Sequence, residues 1–298
     1  MKWRGRGGAG RIEDRRGRGG ALGGGGIPLP IGKAGGGLGV IVLIVLYLIM
    51  GGFPGGGGGG GFGIDPGTGQ FPQAPGASSA DLEQAPADDP AKLVDFVAGD
   101  VDATWTKLFA ESGQTYEPAT IVLYDDRVSS ACGTTPSTVG PFYCPRDRKI
   151  YLDLAFLEQL QRRLDAPGDF AQAYIVAHEI GHHVQNLLGV MEDVNLQSQE
   201  SPDDANELSV RLELQADCLA GIWGHSAYAQ GDLLETGDLE EGLAAAAAVG
   251  DDRIQQQAGQ EVNPEAFTHG TAEQRVRWFR KGFDTGDPTA CDTFKGDV

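Results

Sequence analysis

The region of the sequence after residue 90 predicts an α+β fold that is mostly helical and contains a small β-sheet. Apolar residues recur at helical spacing over several long segments, the first of which is 91–112. Two short segments, 119–125 and 148–154, are instead rich in β-branched and aromatic residues, as strands are. Many helical segments beside few strands are typical of a helical bulk packed on a small sheet.

The remaining helices are predicted from the same periodicity. We expect helices at 155–164, 169–188, 203–229, 239–257 and 271–282. Gly189 directly follows the second of these, and glycine is the residue that most often closes a helix C-terminus. All of these elements belong to one predicted domain, residues 91–298.

The chain of 298 residues divides sharply by charge. Residues 1–33 contain eight lysines and arginines but only Glu13 and Asp14 as acids, a net charge of +6, whereas the whole chain carries −19. We expect this short, glycine-rich head to be a solvated basic tail, since it offers too little apolar surface to fold. The rest of the chain then carries about −25. So acidic a domain argues against nucleic acid as a partner, because a duplex is bound by a basic surface.

Residues 34–53 form an uncharged stretch of the length that spans a bilayer, with eleven consecutive apolar residues from Val40 to Met50. A cleaved signal peptide is the alternative, but the head is long for one and no A-x-A-like site follows. We therefore expect one retained transmembrane helix. Because the lysine and arginine excess precedes it, the head is predicted to be cytoplasmic and the domain extracytoplasmic. A flexible Gly/Pro-rich linker, 54–90, is expected to join helix and domain.

All four cysteines, Cys132, Cys144, Cys218 and Cys291, follow the predicted transmembrane helix. An even number in an exported domain indicates two disulfides, for which three pairings exist. We prefer Cys132–Cys144 with Cys218–Cys291, since the first pair would close the turn-rich loop between the two predicted strands. Four buried free thiols are the alternative.

Residues 177–186 read AHEIGHHVQN and lie inside one of the predicted helices. His178 and His182 are four residues apart, so both imidazoles project from one helix face, as two ligands of one ion require. Glu179 lies beside that face, where its carboxylate can take a proton from a water molecule whose pKa Zn²⁺ lowers to about 7. His183 points away from the face and is expected to be a supporting or solvent-facing residue.

A catalytic zinc site needs a third protein ligand and one open position. The extended motif of metzincins would require a glycine and a histidine downstream, but Gln185 and Leu188 occupy those positions. A later predicted helix offers Glu213 and Asp217 four residues apart among apolar neighbours, and buried carboxylates favour a cation as partner. Glu213 could be the third ligand, and Asp217 could accept the Nδ1–H of a liganding histidine. Glu207, on a more polar stretch, is the weaker alternative.

These motifs resemble those of the bacterial family of neutral zinc metallopeptidases. The resemblance rests on AHEIGHHVQN followed by ELQADCLAGIW, on KWRGRG and IEDRRG in the head, on GPFYCPRDRKIYLDL, and on THGTAEQRVRWFRKGFDTGDPTACDTF. The E-x-x-x-D element also resembles the gluzincin pattern of membrane-associated HExxH peptidases. The resemblance implies a zincin-like fold, Zn²⁺ as cofactor and a peptide or protein substrate. It also implies Glu213 as third ligand and Asp217 as the residue that supports a liganding histidine.

A hydrolase of this type gains from a donor that stabilises the oxyanion formed when water attacks the carbonyl. His269, in THGTAEQR, is our candidate and Arg275 is its rival. The segment is similar to one in related peptidases, which have proline where this chain has Gly270. His225 is expected to be structural. By resemblance to zincin folds, the strand at 148–154 is expected to be an edge strand that pairs with an extended substrate.

The sequence thus favours a membrane-anchored, extracytoplasmic zinc metallopeptidase with Glu179 as general base. A non-catalytic zinc-binding module of the cell envelope, or a pseudo-peptidase, is the main alternative, and hydrolysis of a non-peptide amide is a third. Glu179 argues against the non-catalytic alternative, because a structural zinc site needs no general base and closes its fourth position with Cys or His. The sequence indicates neither the substrate nor the oligomeric state.

Overall fold

The computed structural model describes residues 1–17, 82, 85–86, 89–163 and 168–298. The helices in these residues are α1 Pro90–Glu111, α2 Leu154–Arg163, α3 Asp169–Leu187, α4 Val190–Glu200, α5 Ala205–Ala229, α6 Asp238–Ala248, α7 Asp251–Gln257 and α8 Ala272–Thr285. The strands are β1 Ile12–Asp14, β2 Thr120–Leu123, β3 Arg127–Ser130, β4 Gly133–Pro136, β5 Phe142–Cys144 and β6 Lys149–Leu152. Helices outweigh strands, so the predicted α+β class with a small sheet is confirmed.

Four of the strands form one mixed sheet in the order β1-β2-β6-β5. Strands β1, β2 and β6 are parallel to one another, and β5 runs antiparallel to β6. Strands β3 and β4 form a separate antiparallel hairpin. The predicted strand at 148–154 corresponds to β6, which pairs on both sides. The prediction that it is an edge strand is therefore wrong, and β5 lies at that edge instead.

The two faces of the sheet are buried in different clusters, because side chains alternate along a strand. Ile121 and Leu123 of β2 face the main hydrophobic core, together with apolar side chains of the helices. Val122 points the other way, into a smaller cluster in which the rings of Phe142 and Tyr151 stack with centroids 4.8 Å apart. The helices therefore pack against one face of the sheet.

The helices predicted from periodicity coincide with the observed ones within a few residues, with two differences. The segment 190–200 is a helix, α4, that the sequence does not predict, because it is mostly exposed and offers no regular apolar stripe. The single helix predicted at 239–257 is two helices, α6 and α7. The break falls at Gly250, whose backbone is extended and begins the second helix.

Residues 1–17, called here the N-terminal arm, pack against the domain. Their strand β1 pairs in parallel with β2, with Ile12 opposite Ile121. Trp3 and Ile12 are buried in the main core. The prediction that the basic head is a solvated tail is therefore wrong for residues 1–17. Glycine and charge dominate the composition of the arm, but its large apolar side chains are buried.

Among the residues that the structure describes, no helix is long and apolar enough to cross a bilayer. The predicted transmembrane segment 34–53 lies outside those residues. So does nearly all of the predicted linker 54–90, of which the structure describes only residues 82, 85–86 and 89–90.

Both predicted disulfides are confirmed. Cys132–Cys144 joins the turn of the β3–β4 hairpin to β5. Cys218–Cys291 joins α5 to the 3₁₀ turn at Pro288–Cys291, and both of its sulfur-bearing residues are buried. The second disulfide therefore holds the C-terminal segment against the helix that contains Glu213.

Candidate metal centre

Helices α3 and α5 pack side by side and bring the two sequence motifs together. The contact is close at Gly181 of α3, where a Cβ atom would lie 3.0 Å from the backbone oxygen of Ala216 in α5. This contact explains a glycine in the interior of a helix, where it is less favourable than alanine by about 1 kcal/mol. With the two backbones so near, side chains of the two helices meet across the interface.

His178, His182 and Glu213 converge at this interface. One carboxylate oxygen of Glu213, Oε2, lies 3.1 Å from Nε2 of His178, and the other, Oε1, lies 3.3 Å from Nε2 of His182. All three side chains are buried, and one ligand atom from each lies within 4.8 Å of the others. The structure thus brings together the three residues that the sequence predicts as metal ligands.

Each histidine is oriented by an acceptor on its other ring nitrogen. Nδ1 of His178 lies 2.9 Å from Oδ1 of Asp217, and Nδ1 of His182 lies 2.8 Å from Oε1 of Gln185. An acceptor at Nδ1 keeps the proton on that nitrogen, so both Nε2 atoms offer a lone pair to a cation. The sequence predicts this position for Asp217. It does not predict a role for Gln185, although a residue three positions after His182 lies on the same helix face.

Gln185 also links α3 to α5. Its Nε2 donates to the carbonyl oxygen of Leu212 at 2.7 Å and to Oε1 of Gln215 at 3.1 Å. Leu212 directly precedes Glu213, so Gln185 fixes the backbone beside the third ligand. The Nε2 of Gln215 in turn donates to the carbonyl oxygen of Cys291. The C-terminal segment is therefore part of the same network.

Asp217 is held in place by Arg275 of α8. The Nε and Nη2 atoms of Arg275 lie 2.8 and 3.0 Å from the two carboxylate oxygens, and the hydroxyl of Tyr174 donates to the same carboxylate. Asp217 is 0% exposed and Arg275 is 3% exposed. In this buried bidentate ion pair each charge compensates the other. The pair also fixes the orientation of the carboxylate, in which Oδ1 accepts from His178.

The pKa values of the cluster reflect its excess of carboxylates. Burial lowers the pKa of His178, but the charge of Asp217 and the hydrogen bonds to Asp217 and Glu213 outweigh burial and raise the pKa to about 9. Burial raises the pKa of Glu213, yet the two histidines hold it well below its usual range. Both shifts indicate that the ligand cluster favours positive charge at its centre.

Glu179 lies on α3 between the two histidines in sequence, and its carboxylate is buried. Its Oε2 atom has no hydrogen-bond partner among the described residues. Burial raises the pKa of Glu179 despite the two nearby histidines. A buried carboxylate oxygen without a donor is costly, and such groups are characteristic of sites that act on water or substrate.

His269 is held by Asp251, a residue that the sequence analysis does not single out. Its Nδ1 lies 3.1 Å from Oδ1 of Asp251, whose other oxygen accepts the backbone N–H groups of Thr268, His269 and Gly270. Burial lowers the pKa of His269, but the hydrogen bond to Asp251 and the charge of Glu213 outweigh it and raise the pKa. That effect of Glu213 indicates that the imidazole lies near the ligand cluster.

The alternative candidates take other positions. Glu207 is exposed and pairs with Arg211 on the same helix, at 2.8 Å. Arg275, the rival of His269, has its guanidinium engaged by Asp217 and by the carbonyl oxygen of Val249. Neither residue therefore competes with the role for which it was considered.

The two remaining histidines make structural contacts. His183 is buried rather than solvent-facing, with the hydroxyl of Tyr143 at 3.0 Å from Nδ1 and the carbonyl oxygen of Glu117 at 2.6 Å from Nε2. His225 has its Nδ1 at 2.7 Å from the carbonyl oxygen of Phe283. Both connect secondary-structure elements.

A second group of acids, Asp169, Asp238 and Glu241, lies where the N-terminal arm meets α3 and α6. The amino group of Met1 is 2.7 Å from Asp169 and 3.2 Å from Asp238, and Nε1 of Trp3 donates to Asp169. Asp169 and Asp238 are therefore paired with the arm and Glu241 accepts the N–H of Phe170, so we assign the group no metal.

The ligand cluster fits zinc. Two imidazoles and one carboxylate beside an open position are a known donor set of catalytic zinc sites. Ligand atoms around a tetrahedral Zn²⁺ with bonds of about 2.0–2.1 Å lie roughly 3.3 Å apart. The two N···O separations here, 3.1 and 3.3 Å, are close to that value, and each ends on a different carboxylate oxygen of Glu213.

Comparisons with known proteins agree with this fit. The family model described as "Putative neutral zinc metallopeptidase" matches residues 1–294. The uncharacterized protein YpfJ of Escherichia coli (strain K12) is 44% identical over 299 residues, which cover 99% of each chain. The uncharacterized proteins Mb2605 of Mycobacterium bovis and Rv2575 of Mycobacterium tuberculosis are each 45% identical over 204 residues, 65% of this chain and 67% of theirs. No solved structure matches the chain. Because the family match spans nearly the whole sequence, the chain belongs to the neutral zinc metallopeptidase family.

Proposed function

We propose that this protein is a zinc-dependent metallopeptidase with a zincin-like domain that hydrolyses peptide bonds in peptide or protein substrates. The family and the ligand cluster support zinc. The observation that carries the catalytic part of the proposal is the carboxylate oxygen of Glu179 beside the two histidines, which is buried and has no hydrogen-bond partner in the described part of the chain. A purely structural zinc site has no use for such a group.

His178, His182 and Glu213 would hold Zn²⁺, which when bound polarises a substrate carbonyl and lowers the pKa of water. Glu179 is the general base. A base with a raised pKa holds a proton more readily near neutral pH. Glu179 can therefore accept a proton from the attacking water and then deliver that proton to the leaving nitrogen.

His269 is the proposed donor to the oxyanion. Asp251 holds the Nδ1 side of the ring, so the remaining nitrogen, Nε2, is the one that can face the substrate. The raised pKa of His269 favours the doubly protonated ring, in which Nε2 carries a hydrogen to donate. Such a donor acts where negative charge develops on the carbonyl oxygen.

We also propose that the domain works outside the cytoplasm and is attached to the membrane through residues 34–53. The two disulfides support the compartment, since disulfides persist in oxidising environments. The membrane attachment rests on the composition of residues 34–53.

The substitution Glu179→Gln tests the catalytic proposal. Glutamine keeps the size of the side chain but does not accept the proton, so the purified, zinc-loaded full chain should lose 10²–10⁴-fold in peptide turnover, roughly what a general base contributes. Zinc content should not change, because the three ligands are untouched. Glu207→Gln is the matched control, since Glu207 is an exposed carboxylate paired with Arg211 and should leave turnover unchanged.

Equal turnover by wild type and Glu179→Gln would show that Glu179 is not the base. If the zinc-loaded wild type cleaves no member of a diverse peptide library, the peptidase proposal fails, and the non-catalytic module or a hydrolase of non-peptide amides takes its place.

A further inference from the structure

We infer that the N-terminal arm and the domain lie in the same compartment, with the arm docked as an integral strand of the sheet. Main-chain hydrogen bonds tie the arm along its length. Apart from the β1–β2 pairing, the N–H of Ala9 donates to the carbonyl oxygen of Asp95 and that of Arg15 to the carbonyl oxygen of Leu123. Bonds of this kind require direct contact between the arm and the domain.

The arm also contributes to the hydrophobic core. Ile12 is 4% exposed and Trp3 is 7% exposed, and both belong to the same cluster as Ile121 of β2. Nε1 of Trp3 donates to Asp169 at 2.9 Å. An arm that left the domain would expose these side chains and leave the edge of β2 unpaired.

Charges on the arm match charges on the domain. Arg11 pairs with Asp102, whose carboxylate is buried and is otherwise contacted only by the hydroxyl of Tyr116 among the described residues. Two residues after Arg11, the carboxylate of Glu13 lies 2.8 Å from the ammonium of Lys149. Without the arm, Asp102 would lose the one cation that pairs with it among the described residues.

The shape of α1 is adapted to the arm. Gly99 lies in the middle of this helix, where glycine is less favourable than alanine. A Cβ atom at this position would lie 2.9 Å from the backbone nitrogen of Ala9, and the three nearest atoms all belong to the arm. A glycine at residue 99 is thus explained by the arm that passes over it.

These contacts are incompatible with a single membrane crossing between arm and domain, so a membrane attachment through residues 34–53 must leave both on the same side. If residues 34–53 crossed a bilayer once, residues 1–17 and the domain would lie on opposite sides. Copies inserted with the same orientation would not restore the contacts, since every arm would be on the wrong side. A docked arm therefore overrides the positive-inside prediction that the head is cytoplasmic while the domain is exported.

Labelling of single thiols in cells that express the full chain tests the inference. Gly7→Cys places a thiol on the arm at an exposed position where a Cβ meets nothing within 4 Å, and Ala103→Cys places one on the exposed side of α1. The unsubstituted chain is the background control, because its four cysteines form disulfides. Both thiols should behave alike toward a membrane-impermeant maleimide, reacting in intact spheroplasts if the domain is exported.

The inference would be overturned if one of the two thiols reacts in intact spheroplasts and the other reacts only after lysis. If both react only after lysis, arm and domain still share one compartment, which is then the cytoplasm.

Gly99→Ala tests the docking itself in the purified full chain. With the arm docked, the added methyl group collides with the arm backbone, and Tm should fall by several degrees. Without docking, alanine favours the helix and Tm should rise by about 2–4 °C. Gly7→Ala is the matched control on the arm, since open space surrounds it, and should leave Tm nearly unchanged. A rise in Tm for Gly99→Ala would contradict the docked arm.

Discussion

Gln185 offers the sharpest test of how the fold prepares the metal site. Its side chain is 0% exposed and makes three hydrogen bonds at 2.7–3.1 Å, one to each of His182, Leu212 and Gln215. The acceptor oxygen determines which nitrogen of His182 carries the proton. The side-chain nitrogen of Gln185 donates to Leu212 and so fixes the α5 backbone beside Glu213. Substitutions can separate these two effects.

Gln185→Leu removes both the acceptor oxygen and the donor nitrogen. Loss of a group that orients a liganding histidine typically weakens metal affinity about 10–100-fold, which corresponds to roughly 1.4–2.7 kcal/mol. The substitution also leaves the buried Nδ1 of His182 without its acceptor and removes the donor to Leu212 and to the half-buried Gln215. One stranded buried polar group costs about 1–3 kcal/mol, so we expect the free energy of unfolding to fall by roughly that amount, in addition to the loss of zinc affinity.

Gln185→Glu is the matched variant. It keeps an acceptor oxygen within reach of Nδ1 of His182, but an ionised glutamate cannot donate to Leu212 or Gln215. Stability should fall as it does for leucine, whereas zinc affinity should stay close to that of wild type. The measurements are competition with a chromophoric zinc chelator and thermal unfolding, both on the purified full chain. If the leucine and glutamate variants bind zinc equally, the hydrogen bond to His182 does not orient the ligand and the reasoning is wrong.

Four further predictions follow from the same contacts. Glu213→Ala should lower zinc affinity sharply while Glu207→Ala should not; equal zinc content after dialysis would reject Glu213 as a ligand. Zinc affinity should rise about tenfold per pH unit below pH 9, because zinc must displace one proton from His178, whose pKa is raised to about 9. A zinc affinity that calorimetry finds constant between pH 6 and 8 would contradict this. Arg275→Met should destabilise the fold by about 3–5 kcal/mol, because Asp217 is left buried without a cation, and Asp217→Asn in the same chain should recover part of the loss in urea unfolding. Reducing agent should lower Tm, and non-reduced tryptic peptides should link Cys132 with Cys144; four alkylatable thiols in protein from an oxidising compartment would refute the pairing.

The helices and the metal cluster were predictable because their signals are local. The spacing of His178 and His182 is a property of one helix, and the apolar surroundings of Glu213 and Asp217 mark a second buried helix. Packing of the two motif-bearing faces on each other brings the carboxylates near the imidazoles. The Cys132–Cys144 disulfide was predictable for the same reason, because the turn-rich loop between the two cysteines is short.

The N-terminal arm was not predictable from its own residues. Its strand β1 contains three residues, and only Ile12 among them is fully buried, so no alternating pattern reveals it. Its partner β2 begins more than 100 residues later in the sequence. Arginines on a glycine-rich segment indicate a solvated tail unless the matching acids are known to be near. Asp102 supplies such a match only after α1 has packed on the sheet.

Gln185 and Arg275 were missed for a different reason. Arg275 acts on Asp217 of another helix, and Gln185 bonds the backbone of α5 as well as His182 of its own helix, so both roles depend on how α3, α5 and α8 cross. The sequence shows Gln185 only as a departure from the metzincin pattern, and Arg275 only as a cation near His269. Both roles follow from the geometry: one side chain reaches the Nδ1 of His182, and the other closes on Asp217.

The charges of the centre favour a divalent cation. Apart from the His269–Asp251 pair, the buried groups are the carboxylates of Glu179, Glu213 and Asp217 and the guanidinium of Arg275. With neutral histidines these groups sum to an excess of two negative charges when Glu179 is ionised, and a buried excess of that size is costly. Bound protons can reduce this negative charge, and the raised pKa values of His178 and Glu179 show that both groups bind protons more readily than usual. A divalent cation removes it while leaving both histidines neutral and Glu179 ionised, the state in which Glu179 can act as a base. The fold therefore favours the same charge at its centre that the proposed chemistry requires.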